Sequence, residues 1–215
     1  MAKLPIFYRK SSEAIISFSF TDILSKTGYV TFYGLNQYKA AAAVYSLSPI
    51  KTSSFFDADD TDGFGLWTRS GANASQSLEL DWLVSKTDQL RGNAFFTLPL
   101  GMVNFGGSPS NYTMAVSAGL YIDDGSETLI GAVVEKSFTA INLFYGGGEH
   151  LFILAGVVDI SAGLKIKAGD IIRLKIDITA AGNKIHSNIY HDPKNLAGKT
   201  IPTDLTVNLP FKIDL

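Results

Sequence analysis

The segment DADDTDG, residues 57–63, places four carboxylates and a glycine within seven positions, the composition of an oxygen-ligand cation loop. An EF-hand needs acids or amides at its first, third and fifth positions, glycine at the sixth and glutamate at the twelfth. Counted from Asp57, the fifth position is Thr61 and the sixth is Asp62; counted from Ala58, the first ligand is lost and Arg69 stands at the twelfth. The EF-hand is therefore rejected. An irregular Ca²⁺ site built from Asp57, Asp59, Asp60 and Asp62 stays open as one reading, because Ca²⁺ accepts six to eight oxygens in flexible geometry. The other is a solvated turn between strands.

Further polar residues at chemically suggestive spacings read as follows. Glu79 and Asp81 are two apart on a predicted strand, so they share one face about 6.6 Å apart along the backbone, a separation compatible with glycoside hydrolysis. Leu78, Leu80 and Trp82 hold the opposite parity and claim the core, which leaves both acids on the outer face. His186 and His191 are five apart, which sends them to opposite faces of a strand, and His150 is expected in a loop after Gly146. No shared zinc site follows. AGKT at 197–200 lacks the first glycine of a phosphate-binding loop and is followed by Pro202, so it reads as a turn, as does HDPKN at 191–195. With no G-x-S-x-G elbow and no cysteine, the chain is expected to be non-enzymatic. Trp67, beside the acidic loop, is the candidate for an exposed sugar-stacking ring.

Period two dominates the segments that must position these residues. In LTVNLPFKIDL, Leu205, Val207, Leu209, Phe211, Ile213 and Leu215 alternate with polar residues and Pro210, and Pro210 points to an edge strand or a kink. KAGDIIRLKIDI alternates similarly after a Gly169-Asp170 turn, with LKI at 164–166 just before it. Further strands are expected at 14–20, 28–35, 41–47, 77–84, 93–100, 112–122, 128–138, 150–160 and 184–190. The stretch 151–160 is apolar at both parities and is therefore expected to lie centrally, covered on both sides. A helical turn or two is expected only within LVSKTDQL, 83–90. About ten strands with almost no helix predict an all-β fold, a β-sandwich with a jelly roll favoured. Residues 1–215 read as one domain, with an extended arm at 1–12.

The charged fraction is 18%, against about 25% in an average soluble protein, so much of the surface is uncharged. Either neighbouring subunits cover it or a Ser/Thr/Asn-rich monomer surface replaces charge. A net charge of −2 offers no basic footprint, and no direct nucleic-acid binding is expected. No apolar run reaches the length of a membrane span, and the N-terminus reads as untargeted, which leaves the sequons at Asn73 and Asn111 without a secretory context.

The alternation in KAGDIIRLKIDI and in the terminal LTVNLPFKIDL, set among uncharged Ser/Thr/Asn/Gly loops without cysteine, resembles the jelly-roll structural proteins of virus particles, of capsid or decoration type. That resemblance implies location in the virion and work done by surfaces. It also implies a homo-oligomer, with a trimer favoured, that touches other virion proteins. The alternative expectation is a carbohydrate-binding β-sandwich that uses Trp67 for attachment to a glycan, assisted by a cation at the acidic loop.

Overall fold

The computed structural model describes residues 16–17, 27–39, 42–50, 66–70, 75–104, 106, 110–143, 148–181, 185–191 and 200–212. Among them the chain is all-β, with fourteen strands and no helix. They are β1 (Ile16–Ser17), β2 (Thr27–Lys39), β3 (Ala42–Ser48), β4 (Leu66–Ser70), β5 (Ser75–Leu83), β6 (Asp88–Leu90) and β7 (Asn93–Asn104). There follow β8 (Ser110–Asp123), β9 (Glu127–Leu143), β10 (Glu149–Asp159), β11 (Leu164–Ile166), β12 (Ile171–Ala181), β13 (Ile185–Tyr190) and β14 (Thr206–Lys212). The acidic loop at 57–63 and the arm at 1–12 lie outside the described residues.

Hydrogen bonding runs in the order β4-β13-β7-β14-β2-β3-β5-β12-β8-β9, with β10 on the far side of β7. Among the described residues a single parallel bridge, Ser46 to Asp81, joins β3 to β5, and all other pairs are antiparallel. The sheet curls so that its two wings face each other. Phe32 of β2 meets Trp82 of β5 at 4.6 Å between rings, and Phe138 of β9 meets Phe152 of β10 at 5.1 Å. The result is a β-sandwich consistent with the jelly roll expected from the sequence.

Parity explains the core. Leu78, Leu80 and Trp82 of β5 pair with Ile176, Leu174 and Ile172 of β12, which pair in turn with Ala118, Leu120 and Ile122 of β8. Facing them from the other wing are Phe96, Leu98 and Leu100 of β7, Leu154 and Val158 of β10, and Val207 and Leu209 of β14. Each fully buried side chain of this size stabilises the fold by about 1.5–3 kcal/mol. Gly156 is glycine for a packing reason, since a Cβ there would run into the Phe96 ring.

Three expectations are corrected. First, 83–90 is not helical. Val84 donates its N–H to the carbonyl of Asp170 at 2.9 Å and accepts from Gly169, while Asp88–Leu90 pairs with β11, so bonds to distant chain replace the local i to i−4 bonds of a helix. Second, β14 is not an edge strand: it pairs with β2 along its length and with β7 from Thr206 to Asn208. Pro210 falls just past the β7 ladder, where a missing N–H costs no bond, and its carbonyl accepts from Arg91 N–H at 3.0 Å. Third, β10 is not covered on both sides. Among the described residues it pairs with β7 alone, and its odd-numbered residues open outward, with Ile153 39% and Val157 55% exposed. His150 also lies on this strand rather than in a loop.

Candidate functional site

The two outer faces of the sandwich differ in charge. On the wing built from β5, β12, β8 and β9, Glu79 and Asp81 point outward as the alternation predicts, and the cross-strand register sets Arg173 opposite Asp81 and Lys175 opposite Glu79. Arg173 donates from Nε to Asp81 Oδ1 at 2.7 Å and from Nη2 to Oδ2 at 2.8 Å, a bidentate pair. Its Nη1 reaches Glu127 Oε1 at 2.8 Å and Glu79 Oε2 at 3.3 Å. Lys175 Nζ bridges the same two glutamates at 3.3 and 3.6 Å. The Asp81 hydrogen bonds hold the Arg173 guanidinium even more firmly protonated than usual, and Glu79 does the same for Lys175. Both carboxylates of the glycosidase-like pair are thus engaged by cations on a solvated face.

On the opposite outer face, formed by β2, β14, β7 and β10, the charged side chains of the outward parity stand at strand ends, Glu149 and Asp159 of β10 and Lys212 of β14. β2 contributes Tyr29 and Thr31, and β14 contributes Asn208 and Pro210; Thr31 Oγ1 donates to Asn208 Oδ1 at 2.6 Å, which fixes the shared face. β7 contributes Phe95 and Thr97, in direct register with Val157 and Ala155 of β10, and Ile153 follows opposite Pro99. Phe95 is 39% exposed, with Tyr29 against it at 5.8 Å between ring centroids. β14 and β7 pair from Thr206 to Asn208, so the four strands lie side by side over about 10 Å, a patch of roughly 200 Å² that the rest of β7 and β10 extends. A standard protein interface takes about 800 Å² from each partner. Both wings expose apolar side chains, Phe95, Ile153 and Val157 on β7 and β10 and Leu83, Leu129, Val133 and Ile141 on β5 and β9, but among the described residues only the second wing sets an ion-pair network beside them.

Beside this face lies a buried polar cluster. Glu149 reaches over Gly101, where a Cβ would occupy the place of its carboxylate, and accepts from Asn188 Nδ2 at 2.6 Å and from the Tyr190 hydroxyl. Burial, with the Glu149 carboxylate next, pushes the Tyr190 hydroxyl well above its ordinary pKa. His191, fully buried at the end of β13, stacks edge-on to Tyr45 at 5.4 Å, and desolvation lowers its pKa to about 4.

Of the residues singled out from the sequence, Trp82 is in the core beside Phe32 and Phe211. Trp67 lies in β4 opposite Ile189, and its side chain is outside the described residues, as are Asp57, Asp59, Asp60 and Asp62. Among the described residues no group of three His, Asp or Glu is placed to hold a metal, and no helix is long and apolar enough to cross a membrane. Sequence reasoning missed Phe95, Ile153, Val157 and the Glu149 cluster. In LFILAGVV both parities are apolar, so alternation could not tell the exposed residues from the buried ones.

No protein-family model and no curated protein matches the chain. Among solved structures, it is similar to a CocE/NonD family hydrolase from Staphylococcus aureus at 10% identity and TM-score 0.36, over 84% of this chain and 41% of that one. It is similar to a chain of infectious bursal disease virus, Gt strain, at 12% identity and TM-score 0.26, over 87% and 55%. Eiger TNF from S. frugiperda is similar at 10% identity and TM-score 0.26, over 70% and 93%. The chain spans about two fifths of the hydrolase's length and just over half of the viral chain's.

Proposed function

We propose that this chain is a non-enzymatic structural protein of a virus particle that works by self-association, with the outer face of β2, β14, β7 and β10 packed against another copy. The observation that carries the reading is the cluster of exposed Phe95, Ile153 and Val157 on the neighbouring strands β7 and β10, while the other wing, which also exposes Leu83 and Ile141, keeps a solvated ion-pair network. A face of that composition gains from leaving water, and a second copy offers a surface of matching polarity and size. The assignment to a virion rests on the strands that resemble virion jelly rolls, KAGDIIRLKIDI and LTVNLPFKIDL, which supply β12 and β14 near the middle of the two wings. Electron microscopy of the purified chain at rising concentration is expected to show rings or closed shells of uniform size. Isolated particles of single-chain size at every concentration would contradict it.

A further inference from the structure

A groove of about 400 Å³ runs along β8 on the charged wing, next to Lys175 of the Arg173 network, whose ammonium feels the Asp177 carboxylate. Its origin is local: the outward residues of β8 at this point, Ala115 and Ser117, are small, while the flanking strands carry longer side chains. The register aligns Asp177 of β12, Ser117 and Glu135 of β9 in one row, and Thr179, Ala115 and Ser137 in the next. Two carboxylates therefore face each other across a hydroxyl on a shallow floor. Asp177 is oriented by the Ser77 hydroxyl, which donates to its Oδ1.

This inventory selects among ligand classes. An anion meets one cation, Lys136, against two carboxylates, Asp177 and Glu135, and is repelled on balance. A metal ion finds two carboxylates, short of the six to eight oxygens that Ca²⁺ takes. An apolar ligand would find only Ala115 and Val116. A neutral ligand rich in hydroxyls meets the whole set, because each carboxylate accepts hydrogen bonds from two adjacent hydroxyls and serine both donates and accepts. The volume lies near the lower end of the ~300–1,000 Å³ of small-molecule sites, room for a mono- or disaccharide. We propose that this groove binds a neutral saccharide through adjacent ring hydroxyls, with Asp177 and Glu135 accepting from opposite sides and Ser117 and Ser137 completing the contacts. It is independent of the assembly face and leaves Trp67 out of the site. No aromatic ring lines the groove, so affinity is expected in the millimolar range.

The test is saturation-transfer difference NMR with methyl α-D-mannopyranoside, methyl β-D-galactopyranoside and maltotriose, with putrescine as a basic control. Transfer to the ring protons of at least one sugar is expected. Glu135→Gln should weaken it about tenfold, the loss of one charge-assisted hydrogen bond. Ala115→Leu, which fills the floor without touching a polar group, should abolish it. Near-ultraviolet circular dichroism checks that each variant keeps its fold. No transfer to any sugar, transfer to putrescine alone, or transfer unchanged in both folded variants would overturn the proposal.

Discussion

Val157→Lys is expected to convert the protein from a multimer to a single chain of 23.2 kDa in light scattering at micromolar concentration. Val157 is 55% exposed on the outward side of β10, in register with Phe95, so a lysine there is tolerated by the separate chain, as most surface substitutions are, within about 0.5 kcal/mol. In an assembly the same ammonium would be enclosed against apolar side chains, and the nearest carboxylate, Asp159, is already turned to the Ser161 N–H. An uncompensated buried charge costs about 3–5 kcal/mol, which weakens association by more than about a hundredfold. Leu83→Lys is the matched control. Leu83 is 64% exposed on the charged wing, on the strand that carries Glu79 and Asp81, and a lysine there should leave the mass unchanged. If both substitutions dissociated the protein, or neither did, the assignment of the interface to β7 and β10 would be wrong.

The second large effect is acid destabilisation through His191. Its imidazole is fully buried against Tyr45, and burial lowers its pKa from 6.5 to about 4. Below pH 6.5 the unfolded chain takes up a proton that the folded chain refuses. The contribution of this residue is therefore complete above pH 6.5 and is lost progressively as the pH falls toward 4. Over that window the loss amounts to about 3 kcal/mol. Urea unfolding at pH 7 and pH 4.5 measures it, and His191→Gln, which keeps polar atoms but does not titrate there, should flatten the dependence between those two values. An equally steep dependence in the variant would assign the acid sensitivity to other groups.

Much of the sandwich was legible because its strands bury one parity. Ile172, Leu174, Ile176 and Ile178 of β12, and Leu205, Val207 and Leu209 at and beside β14, declare their inner face by alternation alone, and both lie in the core. The outward setting of Glu79 and Asp81 follows from the same rule. Their partners do not, because which strand lies beside β5 is decided by long-range pairing, and Arg173 is 92 residues from Asp81 along the chain. The stretch 151–160 misled for a related reason. A strand that is apolar at both parities has two explanations, burial on both faces or one face reserved for another molecule, and alternation cannot separate them. The turn expected at 83–90 failed because Val84 and Leu90 are tied to Asp170 and Leu164, contacts with no trace in the local sequence.

The most direct test is the solution mass of the unaltered chain by light scattering across a dilution series in the micromolar range. A mass that is a fixed multiple of 23.2 kDa, three chains being the favoured state, and that falls toward one chain on dilution, is the predicted result. A constant mass of one chain at every concentration would contradict self-association and leave the exposed Phe95, Ile153 and Val157 as the surface of a monomer.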